Sequence, residues 1–472
     1  MKKPFYIAFI AAFLALCLLP TAALLGGYQA ENRENRPLAR PASLWGRDGL
    51  NLDFPTEFDD YYADHFGFRE EMVTAFHSLT MAVLGDTLNE NVIVGRNNML
   101  FFAETLPDYL GTNLLTDEEI ARIAASLRIQ QEYCQSQGIA FTFAIAPNKN
   151  TIYPENMPAR LRPTGAASNR ERLYAALAKE GVYTLDLAAI LLPHKGDGQL
   201  YRDRDTHWNE RGAIIAYNAI MARVAPNTGY ETYAGFVPTT VNDDAGDIHN
   251  FVLPAREGDR PRPDHGIQTA FAYDPGTRPN QDTTFGTTGN GVDVSLHLFR
   301  DSFGNALLPL LSTNISRVKY SAEFPYNYTL LDEDAPDAVF IELVERNISN
   351  LLTAAPLMPA VEVAIPATAA DGGSADMVHY RRNGFTQLAG CFNANLQPQS
   401  IYVLLKQGSE THAFEAFPIL EEQAALAASL SDNLGSARGF SLTLPHGLSG
   451  EYAVTVIADG ISYACGMVNI SE

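Results

Sequence analysis

The sequence predicts an α/β protein: a parallel sheet flanked by helices, preceded by an N-terminal transmembrane helix and followed by a small C-terminal all-β, sandwich-like domain. Three observations carry this reading. Residues Phe5 to Leu25 form one uncharged run. From Thr116 to Val344, helical periods alternate with short apolar runs, the pattern of strands buried between helices. Beyond residue 375, short strands of alternating character are spaced by turn residues.

At 472 residues the chain has room for two or three domains. With 33 Lys+Arg against 55 Asp+Glu, the net charge of -22 leaves no uniformly basic surface to follow a phosphate backbone, so nucleic acid is not an expected partner. Hydrophobic residues at 46% and charged residues at 19% are globular proportions, and most of the chain should fold.

The N-terminal run sets the compartment. Lys2 and Lys3 precede Phe5 to Leu25, which at 1.5 Å per residue covers a hydrocarbon core of about 30 Å. It exceeds the apolar region of a cleaved signal peptide, so an uncleaved anchor is expected, with Thr21-Ala22-Ala23 supplying the small residues a cleavage site would need. Arg33, Arg36 and Arg40 beyond the run compete with Lys2 and Lys3 under the positive-inside rule. Long domains cross largely regardless of flanking charge, so the chain is expected in the cell membrane as a single-pass protein with its bulk extracytoplasmic.

Residues 28–75 read as polar and irregular, with an acidic aromatic patch from Phe58 to Arg69. Asn91 to Phe102 reads as a strand-turn-strand unit with Asn97-Asn98 at the turn. Thr116 and Glu119 form a capping box ahead of a helix that Gly138 ends. Ile139 to Ala146 suits a buried parallel strand, and helix then strand recurs at Asn169 to Lys179 and Val182 to Leu187. A helix follows at Ala213 to Val224, with further buried strands at Val292 to Phe299 and Ala338 to Val344. Residues 228–290 carry little periodicity and read as a rim insertion. Ala354 to Ser374, rich in Ala, Pro, Gly and Thr, read as a linker. Beyond it, Ile401 to Leu405, Phe440 to Leu444 and Tyr452 to Val456 read as strands, with Glu421 to Ala428 a helix or loop. Four cysteines are too few for a disulfide framework: Cys17 lies in the span, Cys134 on a helix face, and Cys391 with Cys465 could form one bridge in an oxidising compartment.

Two motifs could carry chemistry. In Asp205-Thr206-His207-Trp208, an extended backbone points Asp205 and His207 to one side, so the carboxylate can accept the Nδ1 proton and leave Nε2 as a base. A surface loop or structural histidine is the plain alternative, and Asp203-x-Asp205-x-His207 could begin a metal site, although no companion cluster with ligand spacing accompanies it. In Arg300-Asp301-Ser302-Phe303-Gly304, a serine sits where an apolar strand turns into a helix, with backbone N–H groups aimed where an oxyanion would develop. A helix N-cap is the plain alternative.

Together the motifs resemble a known family. Asp301-Ser302-Phe303 is similar to the nucleophile block of SGNH hydrolases, and Asp205-Thr206-His207-Trp208 to the Asp/His block of the branch that includes alginate O-acetyltransferases and DHHW proteins. Ala146 to Glu155, Val94 to Phe102 and Phe340 to Asn347 match as well, so the resemblance covers roughly residues 32–350. Arg300 stands where a glycine is usual, and Thr206 replaces the first histidine of the DHHW pattern. The resemblance implies an SGNH-like fold in which Ser302 is nucleophile, His207 general base and Asp205 its orienting carboxylate. Asn148 is the candidate oxyanion donor, with a turn residue as its alternative, and Lys149, Tyr153 and Arg346 are candidates for the same rim, with a surface or packing role as theirs.

The expected organisation is a cytoplasmic stub and anchor (1–27), a juxtamembrane segment (28–90), an SGNH hydrolase-like catalytic domain (91–353), a linker (354–375) and a β-sandwich-like domain (376–472). The implied function is serine O-acetyl transfer to a cell-surface or secreted polysaccharide through an acyl-enzyme. A membrane-bound acyl-exporting partner would supply the acetyl group, and no cofactor or metal is expected. The alternatives are a carbohydrate acetyl esterase and a non-catalytic polysaccharide-binding or assembly protein.

Overall fold

The computed structural model describes the chain except residues 1, 29–37, 47–48, 234–238, 243–245, 257–260, 280, 369, 392–399, 419–438 and 471–472. The uncharged run is helix α1 (Lys2–Leu25), and its segment Pro4–Leu25, of mean hydropathy 2.5, is long and apolar enough to cross a membrane. The acidic aromatic patch, expected to be irregular, is largely helical: α2 (Phe54–His65) and α3 (Arg69–Leu84) are joined by the three residues 66–68. Phe54, Phe58, Tyr62 and Phe66 recur every four residues and stack in turn, and Pro55 fits the first turn of α2. The acidic residues between them masked this period.

The expected hairpin is present as β1 (Val92–Val94) and β2 (Leu100–Phe102), with Asn97 and Asn98 both at positive φ in its turn. Helix α4 (Asp117–Ser136) begins at the Thr116–Glu119 capping box and leads into strand β3 (Ala140–Ala146). Helix α5 (Asn169–Lys179) carries a second capping box at Ser168 and Glu171 and leads to β4 (Thr184–Asp186). Helix α6 (Glu210–Val224) follows the Asp/His motif.

The segment expected to be a rim insertion contributes more than a rim. Helix α7 (Asp247–Val252) lies in it, and so do strands β5 (Phe271–Tyr273) and β6 (Thr284–Gly289), which extend the main sheet. Then come β7 (Val292–Phe299), α8 (Leu308–Asn314), β8 (Ile315–Ser321) and β9 (Ala338–Val344). The sheet order is β4-β3-β9-β7-β8-β6-β5. The first five strands are parallel, as expected, while β6 runs antiparallel to β8 and β5 antiparallel to β6. The sheet is thus mixed.

Alternate residues of β3 feed two cores. Ala144 and Ala146 join one with Trp208, Tyr217 and Phe340, while Phe141, Phe143 and Ile145 join the other with Ile123, Leu127, Leu173 and Ile341. Burial on both faces is why this strand reads as an unbroken apolar run. Strands β3, β9 and β7 all end on one edge of the sheet, which places residues 147–149, 345–346 and 300–302 together there. In open α/β sheets this carboxyl edge is where ligands bind.

The C-terminal part is built from β10 (Ala370–Ser374), β11 (Asp376–Arg382), β12 (Phe385–Cys391), β13 (Ile401–Gln407), β14 (Glu410–Glu415), β15 (Gly439–Thr443), β16 (Gly450–Ala458) and β17 (Ile461–Ile470). A five-stranded sheet, β10-β17-β16-β13-β14, and a three-stranded sheet, β11-β12-β15, share a core of Leu388, Val403, Phe414, Phe440 and Val456. The stretch expected to be a linker is packed at both ends. Ala355, Leu357 and Met358 are buried, Ala360 and Val363 donate to the carbonyls of Thr443 and Ala413, and β10 pairs with β17. The Glu421 to Ala428 expectation lies outside the described residues. Cys391 and Cys465 are free thiols rather than a bridge, one on β12 and one on β17, strands of different sheets.

Candidate active site

The carboxyl edge begins at the turn after β7. Asp301 fixes it: Oδ1 accepts the Phe303 N–H at 2.9 Å, Oδ2 accepts the Val344 N–H at 2.6 Å, and its own N–H donates to Glu342 Oε2 at 3.2 Å. The turn is thereby bonded to the end of the neighbouring strand β9, and Ser302 is presented above it. Burial, together with the charge of Asp301, pushes the Glu342 carboxyl well above the usual range. Arg300 folds its side chain over Gly304 and donates from Nη1 to Asn305 Oδ1 at 2.6 Å.

The second loop comes from the other side of the sheet's edge. His207 Nδ1 lies 2.7 Å from Asp205 Oδ1, and the same oxygen accepts the His207 backbone N–H at 2.9 Å. With Nδ1–H directed at the carboxylate, Nε2 faces Ser302 Oγ at 2.8 Å. Burial works to raise the Asp205 carboxyl, but the hydrogen bonds and charge of His207 outweigh it and hold the group well below the usual carboxylate range. Trp208 Nε1 donates to Phe303 O at 3.1 Å, which ties the two loops together next to the serine. Asp205, His207 and Ser302 therefore meet at this edge.

Lys149 and Tyr153 follow the packing alternative, because both are buried rather than on a rim. The three protons of the Lys149 ammonium meet three carbonyls of the Asp/His loop: Arg202 and Asp203 at 3.1 Å each, and Asp205 at 2.6 Å. Burial lowers this amine to about 8, against the opposing pull of Asp205, Asp247 and Asp203. Tyr153 OH accepts the Leu200 N–H at 2.9 Å and supports the start of the same loop. Asn148 follows β3 as expected; its Nδ2 donates to Asp108 Oδ2 at 3.1 Å and its backbone N–H to Glu345 Oε2 at 2.9 Å. Arg346 stays partly exposed, its guanidinium 5.7 Å from the Phe303 ring centroid and 5.8 Å from that of Phe102.

Two residues escaped the sequence reading. Asp247 accepts the Thr206 N–H at 2.8 Å and the Thr206 hydroxyl at 2.5 Å, and its Oδ2 lies 3.6 Å from His207 Nδ1. Gly246 permits this approach, since a Cβ there would stand 2.4 Å from Arg204 O. Asp108, raised by burial, holds Asn148 and feels the charge of Arg346. Asp205, His207 and Asp247 offer ligand atoms within 4.8 Å of one another. However, the histidine nitrogen that faces both carboxylates is Nδ1, which can donate a proton or ligate a metal but not both, and Asp247 is engaged by Thr206.

Comparison with known proteins bears on this edge. Residues 92–302 match the family model of the SGNH hydrolase-like domain of the acetyltransferase AlgX. This part of the chain is similar to that domain. Among curated relatives, the probable alginate O-acetylase AlgJ of Pseudomonas syringae pv. tomato is 24% identical over 245 residues, covering 49% of this chain and 55% of its own length. The corresponding protein of Pseudomonas putida is 30% identical over 226 residues, covering 48% and 54%. The chain thus spans about half the length of these two relatives. Among solved structures, the O-acetyltransferase domain of Pseudomonas putida AlgJ is 20% identical with a TM-score of 0.36, covering 55% of this chain and 92% of that one.

Proposed function

We propose that the chain is a membrane-anchored, extracytoplasmic serine O-acetyltransferase that modifies a polysaccharide through an acyl-enzyme. The observation that carries the reading is His207 spanning Asp205 at 2.7 Å and Ser302 at 2.8 Å. In the first half-reaction Ser302 Oγ attacks the acetyl carbonyl of a donor while His207 Nε2 takes the hydroxyl proton. Asp205 holds the resulting imidazolium. The tetrahedral intermediate then expels the donor's leaving group, which takes the proton from Nε2, and acetyl-Ser302 remains. In the second half-reaction a glycan hydroxyl gives its proton to Nε2 and attacks the acetyl carbonyl, and the tetrahedral intermediate collapses to the O-acetyl ester as Nε2 returns the proton to the departing Ser302 Oγ. Asn148 is the proposed oxyanion donor and Arg346 a substrate contact. An extracytoplasmic site has no direct route to cytosolic acetyl thioesters, so a membrane protein that exports acyl groups is the proposed partner.

Incubating the full chain in detergent with a chromogenic acetyl ester, with and without an oligosaccharide acceptor, tests the reading. Transfer of acetyl to the acceptor, lost in Ser302→Ala, is expected. Acetate release at one rate whether or not acceptor is present would make the chain an esterase. No turnover of either kind would favour a binding or assembly role.

A further inference from the structure

Helix α3 buries Thr74, His77 and Thr80 and leaves its apolar stripe on the face that its packing does not cover. Its inner face is fastened to the α/β unit: Thr74 Oγ1 accepts the Ala255 N–H at 3.0 Å, His77 Nδ1 lies 2.6 Å from Thr87 O, and Met81 packs on the cluster of Val92, Leu100 and Ile248. On the other side Met72, Phe76, Leu79 and Val83 recur at i, i+4, i+7 and i+11, one continuous stripe, and are 38%, 52%, 64% and 70% exposed. A stripe of this regularity on a helix that is already anchored has something to cover it.

The position of the stripe says what that is. The last turns of α1 pack on the turn that starts α3: the Gly67 N–H donates to Pro20 O at 3.0 Å, and the Thr21 hydroxyl lies 2.6 Å from Tyr62 OH. Gly67 is needed for this approach, since a Cβ there would stand 2.4 Å from Ala23 Cβ. Helix α3 therefore starts beside the end of the apolar span, and its 16 residues make it about 24 Å long. The segment between α1 and α2 adds exposed Trp45 and Leu52, tryptophan being a residue that favours the headgroup level.

We infer that the Met72–Phe76–Leu79–Val83 face of α3 lies in the interface of the lipid bilayer that α1 crosses, so the domain is held against the membrane at two places rather than tethered at one. The inference rests on the anchoring part of the proposed function. An amphipathic helix binds this way through its buried apolar area, and a second attachment fixes the orientation that one span leaves free.

Photocrosslinking of the full chain in vesicles of phosphatidylethanolamine and phosphatidylglycerol tests it. Benzoylphenylalanine is placed singly at Leu79, at Val83, at Phe13 within the span, and at the exposed Lys179 of α5. Acyl-chain adducts at 79, 83 and 13, with none at 179, are expected. Adducts at 13 but none at 79 or 83 would overturn the inference and leave the anchor standing, and so would adducts at 79 and 83 to a second copy of the chain. Adducts at 79 and 83 without any at 13 would support surface binding and reject the span. The absence of lipid adducts at all three would reject both. Exposed positions tolerate such changes, and retained melting temperature confirms that each variant is folded.

Discussion

At the carboxyl edge of the α/β sheet, Lys149, Asp205, Glu342 and Glu345 are all buried; the sandwich core buries Thr386, Gln387, Ser441 and Thr443 and, among the described residues, no charged side chain. Both regions are well packed, but different forces hold them. The sandwich rests on transfer of Val403, Phe414, Phe440 and Val456 out of water, a non-directional gain that any similar apolar set would give. The sheet edge rests on directed hydrogen bonds to groups that are costly to bury, and those bonds fix atoms to within tenths of an ångström. Substitutions at the edge should therefore cost function first, whereas substitutions at or around the sandwich should cost stability first.

The sharpest way to break this contrast is the group that bridges the two loops. Ser302→Ala and His207→Ala should each lower kcat on an acetyl ester by roughly 10⁵-fold or more, and Asp205→Asn by somewhat less, because the three act as a unit. Pairs of these changes should cost little more than one alone. Melting temperatures should move by only a few degrees, since Ser302 and His207 are not fully buried. A Ser302→Ala variant with normal turnover would reduce Ser302 to a helix cap.

Next comes the ammonium behind the loop. Lys149→Met leaves the carbonyls of Arg202, Asp203 and Asp205 without their shared donor, and displacement of the His207 loop should lower kcat about 10²-fold with a smaller change in KM. The wild type adds a pH test. Burial lowers Lys149 from 10.5 to about 8, so between those values the unfolded chain holds a proton that the folded chain has lost. This group's linkage accordingly raises stability as pH climbs through that window, while the neutral amine has only two protons for three carbonyls. Turnover should fall above pH about 8 with no parallel loss of melting temperature from this group. An alkaline limb unchanged in Lys149→Met would assign the titration elsewhere.

Asp247→Asn is a gentler probe of the same edge. It removes a charge-assisted acceptor from Thr206, worth about 1.5 kcal/mol, so kcat should drop about tenfold while Thr206 can still donate to the amide oxygen. Steady-state kinetics on the ester would measure it, and wild-type turnover would mean that Asp205 alone positions His207.

The parts of this edge that were legible in the sequence are local. Asp205 and His207 are two residues apart, Asp301 caps its own turn, and the capping boxes at Thr116 and Ser168 need only four residues each. Asp247 and Asp108 reach the site from 41 and 40 residues away, so no short window contains the contact. Strands β5 and β6 were missed because an antiparallel edge needs no unbroken apolar run, and Thr284 to Gly289 has only one large apolar residue. In β8, Arg317 and Lys319 alternate with Val318 and Tyr320, the period of a strand buried on one face, so this strand was legible although it forms no unbroken apolar run. The presumed linker failed as a reading because Ala and Pro are compatible with extended packed chain as well as with free chain. Between a rim and a packing role for Lys149 the sequence does not decide, because lysine is rarely buried and the three carbonyls that make burial tolerable here lie more than 50 residues away.

The smallest expected effect on chemistry lies where the two regions meet. Arg128 on α4 donates from Nη2 and Nη1 to the two Glu415 carboxylate oxygens on β14 at 2.5 and 3.1 Å, and Arg122 Nε donates to Pro418 O at 2.8 Å. The Arg128–Glu415 pair is mostly shielded, so removing one partner should cost more than a typical surface bridge, about 1–3 kcal/mol. Arg128→Ala should lower the melting temperature by several degrees and leave kcat on a small acetyl ester within about twofold, because α4 packs on the face of the sheet and supplies no atom to the edge. A double-mutant cycle with Glu415→Gln would isolate the pair from Arg128's other partners, Glu132 and Glu180. If Arg128→Ala instead lowered ester turnover tenfold at unchanged melting temperature, the sandwich would be coupled to the site through α4. The division between a function-bearing edge and a stability-bearing sandwich would then fail at its boundary.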